Sequence, residues 1–313
     1  MELGRFSNMQ RTLFDKLHEM MPSLSKGHKK IAEYMLSHYD KAAFMTASKL
    51  GTIVGVSEST VVRFATELGF EGYPELQRAL KEFTSNKLTT VQRIDVMNDQ
   101  LGDVDVYEKV LNMDIDKLRK TLEEGDRKEF YDTVDTLCKA KNIYVIGARS
   151  AAVLARFLAF YFNMMFDNVK LIHTTSTSEM FEQIINIGEN DIMIGISFPR
   201  YSKHTVKAFR YAHAHNAKVI AITDSLASPL AEYADNILIA RSDMASFADS
   251  LVAPMSVINA LIVAVGLRKR DYVAYNYSRL EDICEEYEVF ESSDDKDYDL
   301  TPEQRQSPHE IEV

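Results

Sequence analysis

The sequence predicts an all-α domain followed by an α/β domain built on a five-stranded, doubly wound parallel sheet. Three observations carry that expectation. Apolar residues keep helical spacing from Met9 to about Leu88, a tight glycine turn joins two short helices inside that stretch, and beyond Lys141 five short β-rich runs alternate with helical ones. Strands that alternate with helices imply parallel pairing, because a parallel strand needs a crossover connection. The 313 residues, 46% of them hydrophobic, suffice to bury a sizeable core, which excludes wholesale disorder and a disulfide-stapled miniprotein.

Residues 1–88 form the first domain. Its most specific segment is Thr46 to Phe70, TASKLGTIVGVSESTVVRFATELGF. Thr46 caps a first helix that includes Leu50, Ile53 and Val54, and Gly55 supplies the left-handed residue of a tight corner. Ser57 caps a second helix. Val56, Val61 and Phe64 face inward, Gly51 is small enough for close approach, Gly69 ends the second helix and Pro74 opens the next. This is helix-turn-helix spacing, in which the start of the second helix enters the major groove of double-stranded DNA. The outward residues are Ser57, Glu58, Ser59, Thr60, Val62 and Arg63. Arg63 suits guanine O6 and N7, Ser59 and Thr60 suit bases or phosphates, Glu58 suits cytosine N4, and Lys49 suits a phosphate. Helical hairpins with solvated polar faces also occur in proteins that never touch DNA; the glycine and apolar positions taken together favour DNA.

Residues 89–140 stay helical, with Val106, Val110, Met113, Ile115 and Leu118, then Phe130, Val134 and Leu137, and are expected to form a connector packing onto the second domain. That domain spans residues 141–280. Strands are expected at Ile143–Ile146, Val169–Ile172, Ile192–Ile196, Val219–Ile222 and Ile237–Ile239. Helices are expected at Ser150–Phe166, Glu179–Ile187, Lys203–His215, Pro229–Tyr233 and from about Asp249 to Arg268. Open α/β sheets bind ligands at the carboxyl ends of their strands. Here those ends carry Gly147-Ala148-Arg149-Ser150, His173 to Ser178, Ser197 to Thr205 and Thr223-Asp224-Ser225. Hydroxyls and a helix start suit a small polyhydroxylated or phosphorylated ligand, and Arg200 suits an anion. Serine and threonine also cap helices with no ligand at all.

The formal charge of −11 argues at first against nucleic acid, but it is unevenly placed. Residues 281–313 hold 13 acidic side chains against Lys296 and Arg305, so residues 1–280 balance at 34 of each sign. The acidic end is expected to be a disordered, solubilising tail. Residues 1–90 carry 12 basic and 10 acidic side chains, too mild an excess to hold DNA strongly as a monomer, which favours a homodimer reading two half-sites of a palindromic operator. Cys138 and Cys284 stand far apart without ligand-like neighbours, which excludes a zinc motif and a disulfide framework and fits a reducing cytoplasm. Met1 to Gln10 lack the apolar core of a signal peptide, and no run approaches the roughly 20 apolar residues that span a bilayer. Neither metal nor cofactor nor membrane is expected.

The strings VSESTVVRFATELGFEGYPEL, YVIGARSAAVLA, DIMIGISFPRYSKHT and KVIAITDSLASPLAEYAD resemble the RpiR-type bacterial transcription regulators, over about Met9 to Lys269. The resemblance implies an amino-terminal helix-turn-helix domain, a carboxy-terminal sugar isomerase (SIS) domain, a dimer or higher homo-oligomer, and a small anionic metabolite such as a sugar phosphate as effector. In such domains the serine at the first helix and a Ser-x-Ser-Gly-x-Thr loop hold the phosphate. Ser150 and Ser197 match; Pro199, Arg200 and Ser202 replace the second serine, the glycine and the threonine. An altered anion site is expected from Ser150, Ser197, Arg200, Ser202 and Thr205, and a domain kept only for dimerisation is the competing outcome. SIS folds also occur in isomerases, for which His204, Glu179 and Asp224 are the available acids and bases. A helix-turn-helix has no role in an isomerase, so a regulator rather than an enzyme is expected.

Overall fold

The protein is described by a computed structural model covering residues 13–85, 88–101, 105–242 and 248–289. The acidic stretch beyond residue 289 and residues 1–12 lie outside the described residues.

The first domain consists of α1 (residues 13–20), α2 (Lys26–Ser37), α3 (Tyr39–Ala42), α4 (Ala47–Val54), α5 (Glu58–Glu67) and α6 (Tyr73–Ser85). Leu17, Ile31, Met35, Leu50, Phe64, Leu76 and Leu80 are fully buried between them. Tyr73 Oη and Gln77 Nε2 both donate to the Met45 carbonyl, at 2.8 and 2.6 Å, and tie α6 to the loop that starts α4. Burial moves the Tyr73 phenol well above its usual range, so it stays a donor.

The connector contains α7 (Thr90–Leu101), α8 (Val106–Glu124) and α9 (Arg127–Leu137). The helices α8 and α9 pack on the second domain. Glu129 of α9 accepts from the Ile237 amide at 2.9 Å and from Asn236 Nδ2 at 3.0 Å, and Thr121 of α8 accepts from the Arg241 amide at 2.9 Å. The helix α7 touches α3 of the first domain.

The second domain contains β1 (Asn142–Gly147), α10 (Ala151–Phe162), β2 (Val169–Ile172), α11 (Thr177–Ile184), β3 (Asp191–Ile196), α12 (Lys203–Ala214), β4 (Lys218–Thr223), β5 (Asn236–Ile239), α13 (Val252–Arg268) and α14 (Arg270–Glu286). All strand pairs are parallel, in the order β2-β1-β3-β4-β5. One face packs on α9, α10 and α13 through Ile143, Val145, Leu158 and Leu261; the other packs on α11 and α12 through Tyr144, Met180, Met193 and Phe209. The winding reverses between β1 and β3, where Gly147 lies opposite Ile196. The loops leaving those two strands are therefore neighbours, the geometry that opens a crevice in doubly wound sheets.

Several expectations differ from the structure: the helix expected at Glu179–Ile187 runs over Thr177–Ile184 and gives way to turns at residues 185–186. Pro229–Tyr233 is not helical: Ser225, Ser228 and Leu230 carbonyls each accept from the amide three residues on, so the segment is a run of tight turns too short for an α-helix. The first sheet-domain helix ends at Phe162, with turns over residues 163–165. The helix α14, not foreseen, carries the chain to Glu286, so the acidic stretch that opens at Glu281 begins inside a helix. No residue of α14 is buried, which explains why no apolar stripe announced it.

Candidate functional site

In the first domain the helix-turn-helix corner is built as its residues require. Thr46 Oγ1 accepts from the Lys49 amide at 3.2 Å and Ser57 Oγ from the Thr60 amide at 3.3 Å, so each helix starts on a side-chain cap. Gly55 has φ +71°, and a Cβ on Gly51 would stand 2.8 Å from the Val56 carbonyl oxygen, so both glycines are sterically required. Val61 and Phe64 are fully buried, while Ser57, Glu58, Ser59 and Arg63 are exposed. Arg63 Nε donates to the Ser59 carbonyl at 3.3 Å, leaving the outer edge of the guanidinium at the surface. Thr60 is half-buried, its methyl close to Gly27 of α2, and its hydroxyl is 2.8 Å from Ser57 Oγ. Lys49 is exposed on α4. Sequence reasoning passed over Lys30, whose Nζ lies 3.8 Å from the position a Cβ on Gly55 would take. It adds a cation beside the turn, a signal visible only once α2 is folded against α4 and α5.

The second candidate site is a cavity of about 130 Å³ at the carboxyl ends of β1 and β3. Arg93, Arg149, Ser150, Ser197, Phe198, Pro199, Arg200, Ser202 and Asp249 line it. It thus gathers four of the five expected ligand residues. Thr205, the fifth, is fully buried in the first turn of α12, outside that lining, and its hydroxyl has no partner among the described residues. Ser150 precedes α10 without capping it; its hydroxyl instead donates to Asp249 Oδ2 at 2.8 Å. Ser197 Oγ accepts from the Ser202 amide at 3.2 Å, and Ser202 Oγ caps α12. Arg149 sits at φ +58°, a conformation uncommon outside glycine, and helps bring a third guanidinium to the cavity.

Two of the four hydroxyl-rich strand ends turn inward to local work. Ser176 caps α11 and Ser225 Oγ accepts from the Ala227 amide at 3.1 Å, so neither faces the cavity lining. Arg93 and Asp249 were not foreseen. Arg93 comes from the connector and Asp249 from the loop before α13, distances along the chain that no local pattern reveals. They pair at 3.0 Å, Arg93 being only 7% exposed. Burial pulls the Arg93 guanidinium below its usual range, Asp249 opposes that shift, and the nearby charges of Arg200 and Arg149 add to it. An arginine so far from neutral pH keeps its charge. Three guanidiniums therefore face one carboxylate among the described residues, beside the amino terminus of α10, and the arrangement suits an anion.

The acids and bases considered for catalysis lie outside this lining. His204 Nε2 is 3.1 Å from Thr177 Oγ1, and Glu179 accepts from Thr174 Oγ1 at 2.5 Å. Asp224 accepts from Tyr201 Oη at 2.8 Å, and burial raises its carboxyl above the usual range against that bond. A larger cavity of about 390 Å³ lies between the first domain and the strand ends of β4 and β5, lined by Leu13, Phe70, Ala79 and Phe83 on one side and Asp224 to Ala227 and Arg241 on the other. Arg241 pairs there with Glu124, and Glu75 and Arg78 of α6 also line this seam between the domains. Among the described residues no group of three or more metal-ligating side chains occurs, and no single helix is long and apolar enough to cross a membrane.

Residues 11–87 match the helix-turn-helix domain of the rpiR family, and residues 136–264 match the SIS domain. HexR of Escherichia coli, an HTH-type transcriptional regulator, is 25% identical over 287 residues, 88% of this chain and 94% of its own. An uncharacterized HTH-type transcriptional regulator of Haemophilus influenzae is 26% identical over 230 residues, 72% of this chain and 79% of its own. Among solved structures, the sugar isomerase domain of an RpiR transcription factor from Sphaerobacter thermophilus covers 56% of this chain and 98% of its own with a TM-score of 0.54 at 25% identity. The NanR protein of Vibrio vulnificus, complexed with ManNAc-6P, shares the fold over 90% of this chain and 100% of its own, with a TM-score of 0.56 at 20% identity.

Proposed function

Because the chain belongs to the RpiR-type family, transcriptional regulators in which a helix-turn-helix domain precedes a SIS domain, we propose that it binds an operator as a homodimer under the control of an anionic metabolite. The effector, a sugar phosphate or a related anion, sits in the strand-end cavity. One observation carries this reading: Arg93, Arg149 and Arg200 surround a 130 Å³ cavity whose carboxylate, Asp249, offsets a single charge. Ser150 and Ser197 add hydroxyls.

Arg93 stands on α7, and α7 touches the first domain at α3. An anion that grips Arg93 differently from Asp249 therefore biases how the connector meets both domains. The shift in operator affinity equals the difference in the metabolite's affinity for the two arrangements, typically a factor of about 5 to 150. Dimerisation is supported by α10 and α13, which pack on one another and leave Val153, Phe160, Val263 and Leu267 at 60 to 72% exposure, apolar surface that a second copy would cover. We place this activity in the cytoplasm, where operator and metabolites meet. A regulator rather than an isomerase is favoured because the cavity's carboxylate is held by a guanidinium and His204, Glu179 and Asp224 lie outside it.

A footprint or shift assay on DNA flanking the protein's own gene tests the reading, with and without a panel of sugar phosphates and sugar acids. The panel starts with sugar phosphates because a protein of the same fold is complexed with ManNAc-6P. A protected palindrome whose occupancy responds to one panel member is expected. Occupancy that ignores the whole panel would leave the SIS domain a dimerisation module, and turnover of a sugar phosphate without any protected site would favour an isomerase.

A further inference from the structure

We propose that Asp249 is a built-in occupant of the anion site, and that a phosphate monoester acts by displacing its carboxylate from Arg93 and Ser150. The inference deepens the function proposed above and rests on it. Asp249 holds its two oxygens against the two groups an incoming anion would need: Oδ1 takes Arg93 Nη1 at 3.0 Å, and Oδ2 takes the Ser150 hydroxyl at 2.8 Å. It reaches them from the loop ahead of α13, so the chain places its own carboxylate where the amino terminus of α10 and the connector meet.

That occupancy is incomplete. Arg93 Nε is buried without a partner among the described residues, and Nη2 reaches only the Pro199 carbonyl, at 3.5 Å. A buried guanidinium with spare donors is under-satisfied, and a phosphate offers three oxygens where a carboxylate offers two. Charge points the same way. A monoanionic carboxylate merely replaces what Asp249 already supplies, whereas a phosphate monoester is mostly dianionic at neutral pH and also engages Arg149 and Arg200. Asp249 thereby sets the selectivity: it competes evenly with sugar acids and poorly with phosphates. Its release also removes the tie between α7 and the loop before α13, and leaves Arg93 anchored through the ligand.

Calorimetric titration of the full chain at fixed ionic strength tests this, with inorganic phosphate as the bare anion and glucose 6-phosphate as a monoester. The substitution Asp249→Asn keeps the shape and removes the competing charge, and should tighten binding of both probes at least tenfold. In an Arg93→Gln background the same change should gain at least threefold less than in the wild type, because the contact with Arg93 is already gone and only the one with Ser150 is left to relieve. Unchanged or weaker binding by D249N overturns the proposal, and so does an equal gain in both backgrounds, which would make Asp249 a distant charge only. Should R93Q fail to fold, hydrogen exchange on the wild-type chain decides: saturating phosphate should speed exchange at residues 248–251, and unaltered exchange there overturns the proposal. Absence of phosphate binding by both wild type and D249N defeats the inference alone; the function proposed above falls only if operator binding also ignores the whole metabolite panel.

Discussion

In the proposed function, Arg63 is the residue that reads the operator most directly. It stands on the exposed face of α5 with Ser57, Glu58 and Ser59, held at its root by the Ser59 carbonyl. Replacing it with alanine should weaken specific operator binding by about 1 to 3 kcal/mol while leaving the melting temperature unchanged, as read by anisotropy and thermal unfolding. Asp224 carries a pH-dependent prediction. Burial raises its carboxyl in the folded state, so the chain loses stability as pH rises from the unfolded value toward the folded one. Asp224→Asn removes that titration and keeps an acceptor for Tyr201, so its melting temperature should exceed the wild type's at pH 7.5. The gap should close near about pH 4, where the unfolded carboxyl protonates as well. The cavity residues show how far single residues were legible. Ser150, Ser197, Arg200 and Ser202 lie on loops adjacent to their strands, so motif spacing found them. Arg149 was read only as part of a glycine turn, because its left-handed backbone is a property of the folded loop. Arg93 and Asp249 are 156 positions apart and meet only through the tertiary fold.

At the scale of elements, periodicity served where a helix or strand buries one face and failed where it does not. The five strands and the pair α4 and α5 were legible because Ile194, Val61 and Phe64 are fully buried. The helix α14 buries nothing, and residues 226–233 turn on successive Ser and Pro positions, so neither gave a period to read. The corner between α4 and α5 is the most constrained connection, with Gly55 at φ +71°. Gly55→Ala should cost about 1 to 2 kcal/mol from the left-handed backbone alone, measurable by denaturant unfolding. The same variant should weaken DNA binding further, since α5 takes its direction from that corner. The helix α7 meets both halves, touching α3 on one side and placing Arg93 in the cavity on the other, which is where the proposed coupling would run.

For the molecule as a whole, the balance of charge and apolar surface points to function as an assembly. The net −11 resides in residues 281–313, most of which lie outside the described residues, and residues 1–90 carry a modest excess of base, which favours the proposed homodimer over a monomer on DNA. The proposed dimer would use the exposed apolar face of α10 and α13. Phe160→Glu should convert a dimer to a monomer in sedimentation analysis without unfolding it, because Phe160 is 66% exposed, and operator affinity should fall with it. In the proposed function, an anion in the arginine-lined cavity controls DNA binding. That control is tested most directly by operator affinity with and without the responding metabolite, in the wild type and in the double variant Ser150→Ala, Arg200→Ala. Operator affinity should shift at least fivefold in the wild type and under twofold in the variant, at equal affinity without metabolite. An equal metabolite response in both proteins would contradict it.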